Sequence, residues 1–179
     1  KYGKKILDSI KKDLGDPRIT NHFLGPLISN EARLKVISQQ KKLKKIGARI
    51  IKESKVRKGK GFFITPGLID STNLKERFDE EIFGPILQVH FVGSFSEAID
   101  EANNTKFGLA ASLISDSRQL FDEFHSSINS GLVNFNATTT GASGALPFGG
   151  VGKSGNYRPA GFYAADFCAW PKSSVLKKL

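Results

Sequence analysis

The feature that most constrains this chain is an alternation that starts at residue 86. Ile86 to Val92 is an apolar run of strand length, Ser94-x-x-Glu97 is a capping-box signature, and Ala98, Ile99 and Ala102 follow at helical spacing. Leu109 to Ile114 supplies a second strand. Asp116 or Ser117 can cap a helix with Phe121, Phe124 and Ile128 on one face, Gly131 can terminate it, and Leu132 to Phe135 makes a third strand. Strand, helix, strand, helix, strand leaves few architectures open, because parallel neighbours need a crossover and the crossover helix covers the sheet. The fold class expected is therefore α/β with a parallel-rich sheet.

Upstream, Ile6, Ile10 and Leu14 recur at i, i+4 with Leu7 beside them, so a helical pattern is already under way at Lys1. With no initiator methionine, the chain reads as a piece of a longer one. A turn is expected at Asp16-Pro17. Ser29 or Asn30 can cap a second helix with Ala32, Val36, Leu43 and Ile46 on one side, and Gly47 is placed to end it. An apolar pair, Ile50 and Ile51, and a basic loop from Lys52 to Lys60 come next. The run Phe62 to Ile69 is broken by Pro66-Gly67 and suits an edge strand.

Charge is unevenly distributed. Residues 1–60 hold 18 basic and 5 acidic side chains, and residues 61–179 hold 9 and 12, so the whole net charge of +10 comes from the first third. A solvated helix face accounts for such a bias; binding of RNA or another polyanion is the rival reading. The rival lacks stacking rings, since Tyr2 and Phe23 are the only aromatics in those 60 residues. No run approaches the roughly 18 apolar residues that cross a bilayer, and no signal peptide is evident. A soluble, cytoplasmic protein without nucleic-acid or membrane partners is expected. The single cysteine, Cys168, reads as a small buried hydrophobe, and His22, His90 and His125 show no ligand spacing, so no metal site is expected.

Six glycines crowd into residues 141–155. Gly150-x-Gly152-x-x-Gly155 matches a dinucleotide fingerprint by letter, and Gly152-Lys153-Ser154 imitates the end of a phosphate-binding loop. Both fail on context: Pro147 stands where a strand or glycine is needed, and Arg158-Pro159 where a helix should run. A packed, sharply turning loop is the better account, and residues 137–160 read as one long functional loop. In Glu80-Glu81-Ile82-Phe83-Gly84-Pro85, two readings stay open. The segment is an acidic helix end whose phenylalanine fills the core, or a carboxylate that accepts hydrogen bonds from paired hydroxyls beside a ring that rests on a flat cofactor.

That hexapeptide, then Ala102-Asn-Asn-Thr-Lys-Phe-Gly-Leu-Ala110, Gly131-Leu-Val-Asn-Phe-Asn136, Pro147-Phe-Gly-Gly150 and Lys153-Ser-Gly155, resembles the aldehyde dehydrogenase superfamily in order and spacing. Gly25-Pro-Leu-Ile-Ser29 is also similar to it, so the likeness covers nearly the entire chain. Ser154-Gly-Asn-Tyr-Arg-Pro159 and Tyr163-Ala-Ala-Asp-Phe-Cys-Ala-Trp-Pro171 resemble its succinylglutamate-semialdehyde branch.

The resemblance implies thiolate attack on an aldehyde, hydride transfer to NAD or NADP, and acyl release by a water that a glutamate activates. It places the nucleophilic cysteine, that glutamate, the oxyanion-stabilising asparagine and the cofactor domain upstream, so no catalytic residue is expected here and these residues alone are expected to be inactive. By the same likeness, Glu81 contacts the nicotinamide ribose and Phe83 packs beside the nicotinamide. Phe148 lines the substrate tunnel, and Gly141, Ala142 and Ser143 anchor the far end of the substrate. A basic clamp, if present, comes from Lys153, Arg158 or residues upstream. Residues 1–148 would be the catalytic domain, 149–162 a crossing loop, and 163–179 an oligomerisation strand that makes a homo-oligomer. A non-catalytic remnant that folds and associates is the alternative.

Overall fold

A computed structural model describes residues 3–15, 24–141 and 143–178. The chain divides into two compact units, Lys1–Val92 and Gly93–Leu179. The Asp16-Pro17 turn and Ala142 lie outside the described residues.

In the first unit, helix α1 spans Gly3–Gly15 and α2 spans Asn30–Lys45. Ser29 is the N-cap of α2, its hydroxyl accepting from the Ala32 N–H at 3.0 Å, and Gly47 follows the helix with φ +108°, a left-handed turn that glycine adopts without strain. Strands β1 (Arg49–Lys52), β2 (Gly67–Asp70) and β3 (Ile86–Val89) form one sheet in that order. The first pair is antiparallel with a bulge between Ile50 and Lys52, and the second is parallel. Leu43, Ile46, Ala48 and Ile69 make the core, with Ile50, Leu74, Phe78, Ile82 and Ile86 against it. Leu43 and Ile69 are fully buried, each worth roughly 1.5–3 kcal/mol relative to exposure.

The edge-strand expectation for Phe62 to Ile69 is corrected. Phe62 and Ile64 make only isolated bridges, to Leu27 and Val56, while β2 is the buried centre of the sheet. Proline is tolerated because Pro66 stands one residue before the ladder, where the Gly67 N–H takes over by donating to the Pro85 carbonyl at 2.8 Å.

In the second unit, α3 (Phe95–Asn103) precedes β4 (Ala110–Leu113), and α4 (Arg118–Ser127) connects β4 to its parallel neighbour β5 (Leu132–Phe135). Ile99, Phe124 and Ile128 form its core, with Phe121 stacked on Phe135 at 4.7 Å between ring centres. Ser117, not Asp116, caps α4, accepting from the Leu120 N–H at 3.3 Å. Gly131 does not end α4, which closes at Ile128; it donates its N–H to the Gly108 carbonyl at the entry to β5. The three strands of the alternation are parallel-paired as expected but divided: β3 pairs with β2, and β4 with β5.

Beyond these lie a two-residue hairpin, β6 (Pro147–Phe148) with β7 (Ala160–Gly161), and a one-turn helix α5 (Ala164–Phe167). Within the segment 163–179, expected to form a strand, residues 164–167 are helical, and residues 168–178 pair with no strand among the described residues. Cys168, expected to be buried, is exposed just after α5 and belongs to neither core cluster of the described residues. No helix among the described residues is long and apolar enough to cross a membrane.

Candidate functional site

The Glu80–Pro85 segment is an irregular, non-helical arm anchored to α2. Gln39, buried at 6% exposure, donates its Nε2 to the Glu81 carbonyl at 3.3 Å and to the Glu80 carboxylate at 3.4 Å. Lys42 lies one turn along α2, and its Nζ donates to Glu80 Oε1 at 2.5 Å. At Gly84 the arm touches the helix so closely that an added Cβ would stand 2.7 Å from Val36 Cγ2, and Val36 is only 2% exposed. The backbone is thus fixed while two side chains point away from the core. The Glu81 carboxylate has no partner among the described residues, and Phe83 is 75% exposed. Of the two readings of this segment, the one with Phe83 filling a core is excluded: Phe78 and Ile82 fill it instead, and the segment is not helical.

In the second unit, Phe148 and Gly141 share a cavity of about 400 Å³ with Leu109, Ala110, Leu132, Thr139 and Thr140. Its walls are aliphatic and aromatic at the strands and polar along the loop. Gly141 adopts φ +108° there. The Thr140 hydroxyl donates to Thr138 Oγ1 at 3.0 Å, whereas the Thr139 hydroxyl has no partner among the described residues. Ser143 is not in the wall; its hydroxyl accepts from the Ala145 N–H at 3.3 Å in a local turn, which leaves its own proton available to donate. Neither Lys153 nor Arg158 reaches the cavity wall, so neither is the basic clamp of this cavity.

The glycine-rich stretch after Phe148 is committed internally. Residues Gly152–Ser154 form a single 3₁₀ turn, and the Val151 and Lys153 N–H groups donate to the carbonyls of Gly108 and Lys106 at 2.9 and 2.8 Å. The Ser154 and Gly155 N–H groups bond back to Val151 and Gly152. Amides spent this way cannot cradle a phosphate, so the Gly150-x-Gly152-x-x-Gly155 match is a packing device.

Residues 4–173 match the model of the aldehyde dehydrogenase family. The chain belongs to that family. It is 45% identical over 153 residues to N-succinylglutamate 5-semialdehyde dehydrogenase of Paraburkholderia xenovorans, covering 86% of this chain and 31% of that protein. The succinic semialdehyde dehydrogenase of Streptococcus pyogenes, solved with NADP+, superposes with a TM-score of 0.72 at 28% identity, covering 78% of this chain and 31% of that one. The 1-pyrroline-5-carboxylate dehydrogenase of Thermus, solved with bound NAD, gives 0.70 at 34% identity over 77% and 27%. The chain thus spans about a third of the length of the curated relatives it matches.

Aldehyde dehydrogenases use nicotinamide cofactors, and the two side chains that leave the arm have the chemistry to meet one. A free carboxylate accepts from paired hydroxyls, and an exposed ring offers a flat apolar face. Gln39 and Lys42 escaped the sequence reading. A polar residue on the buried side of an amphipathic helix is the signal that could have found Gln39.

Proposed function

We propose that these residues are the C-terminal part of an NAD(P)-dependent aldehyde dehydrogenase that oxidises N-succinylglutamate 5-semialdehyde to N-succinylglutamate, a step of arginine degradation. The observation that carries the cofactor half of this reading is the anchored arm with Glu81 unpartnered and Phe83 exposed. The substrate half is supported by the name of the relative at 45% identity.

Bound nicotinamide would accept the hydride. This chain's own residues bind and orient: the Glu81 carboxylate accepts from the ribose hydroxyls, and the Phe83 ring limits where the nicotinamide can rest. Phe148 shields the aldehyde end from water. Gly141, Ala142 and Ser143, with backbone N–H groups and a hydroxyl, receive a carboxylate remote from the aldehyde. Residues 1–148 serve the catalytic domain, 149–162 cross from it, and 163–179 associate with a second copy. The nucleophile and general base come from outside these residues, so this stretch by itself does not turn over.

The test is Glu81→Gln and Phe83→Ala in the complete natural polypeptide. Each should raise KM for the dinucleotide by about tenfold, as expected for a lost charged hydrogen bond or a lost ring contact. Unchanged dinucleotide KM in both variants would remove the cofactor assignment.

A further inference from the structure

We propose that Gln39 and Lys42 are positioning residues for cofactor binding, which divide the adjacent carboxylates Glu80 and Glu81 into one that is neutralised and one that is presented. The inference rests on the assignment of Glu81 to the dinucleotide and adds to it the device that makes Glu81 available.

Two neighbouring carboxylates on one arm could serve a ribose equally well by charge. They are treated differently. Lys42 Nζ lies 2.5 Å from Glu80 Oε1, and Gln39 Nε2 lies 3.4 Å from Glu80 Oε2, so both oxygens of that carboxylate are engaged by α2. The same Gln39 nitrogen also donates to the Glu81 backbone carbonyl at 3.3 Å. That bond fixes the peptide from which the Glu81 side chain departs, and Glu81 is exposed where Glu80 is held by the helix. Gln39 is buried, so its amide cannot exchange these acceptors for water without a penalty. Lys42 also lies over the Phe78 ring, 5.4 Å from its centre, which holds the ammonium beside Glu80. Without Lys42, Glu80 and Glu81 would present two negative charges side by side to a cofactor whose own phosphates are anionic.

The experiment is a double-mutant cycle in the complete natural polypeptide. Gln39→Ala should raise dinucleotide KM by about five- to tenfold with kcat changed less than about twofold, and the effect should vanish in a Glu81→Gln background, because both act through one contact. Lys42→Gln should raise the same KM, Lys42→Arg should restore it, and the Lys42→Gln defect should deepen at low salt. If Gln39→Ala does not fold, the Lys42 pair carries the test. Equal KM effects of Gln39→Ala with and without Glu81 would overturn the proposal, as would an unchanged KM for both Gln39→Ala and Lys42→Gln where Glu81→Gln raises it. If Glu81→Gln itself leaves KM unmoved, the cofactor assignment has failed, and the positioning role falls with it.

Discussion

Asn136 holds Ser115 by both backbone groups: its Oδ1 accepts from the Ser115 N–H at 2.9 Å and its Nδ2 donates to the Ser115 carbonyl at 2.7 Å. The pair ties the segments leaving β4 and β5, and it does so from φ +51°, a left-handed conformation in which asparagine is among the better tolerated residues. Asn136→Ala removes two hydrogen bonds and keeps the unfavourable backbone. A loss of about 2–3 kcal/mol is expected. Asn136→Gly should lose less, since it relieves the strain, and chemical denaturation of the two variants in the complete polypeptide decides the order.

Gly131 and Gly84 are both sites of close approach but should respond differently. A Cβ at Gly131 would fall 1.7 Å from the Gly149 carbonyl oxygen, which is backbone, whereas at Gly84 it would meet a Val36 methyl at 2.7 Å. Gly131→Ala is expected to abolish folding or to cost well over about 3 kcal/mol, and Gly84→Ala about 1–3 kcal/mol, the usual range for overpacking. Gly84→Ala should also raise dinucleotide KM, because it lifts the arm off α2. Melting temperatures together with KM values check both.

Much of this was legible because local chemistry and tertiary structure agree. The helix starts at Ser29 or Asn30 and at Asp116 or Ser117, of which the serines are the caps, the Val36, Leu43 and Ile46 stripe, and the strand at Leu132 to Phe135 follow from periodicity and capping chemistry that neighbours do not override. The central position of β2 was not legible, because Pro66 marks an edge strand only when it lies inside the ladder. Gly131 resembles a helix stop by its place in the sequence; its requirement comes from Gly149, a residue brought near only by folding. At the candidate site, Glu81 and Phe83 stood out by resemblance, while their support did not, since Gln39 and Glu81 are 42 residues apart.

Acid should weaken the first unit through Asp70. Burial pushes this carboxyl up, but hydrogen bonds from Thr72 and Arg49 and the charge of Arg49 outweigh that and hold it below the usual carboxylate range. Arg49 Nη2 lies 2.7 Å from Asp70 Oδ2, and the Thr72 N–H donates to Oδ1 at 3.0 Å. A depressed folded pKa means that the stabilisation is present above the unfolded value, about 3.9, and is lost as pH falls through the folded one. The stability difference between wild type and Asp70→Asn should therefore be constant near neutral pH and shrink below about pH 4. A difference that grows on acidification would contradict this assignment.

Association should run through the C-terminal segment. Trp170, Val175 and Leu176 are 91%, 90% and 93% exposed, an apolar display that a second copy would cover. Light scattering of the complete polypeptide should give a dimer or larger assembly, and Trp170→Ser with Leu176→Ser should shift it toward smaller mass. A monodisperse wild-type monomer would remove the association role from residues 163–179.

The assigned oxidation is tested by the initial rate of reduced nicotinamide formation by the complete natural polypeptide with N-succinylglutamate 5-semialdehyde, compared with an aliphatic aldehyde lacking carboxylates. Turnover dependent on NAD or NADP is expected, with kcat/KM higher for the carboxylated substrate by about tenfold or more, as a donor-lined anchor for the remote carboxylate requires. Absence of nicotinamide reduction with any aldehyde would contradict the assigned activity, and equal kcat/KM for both substrates would contradict the assigned specificity.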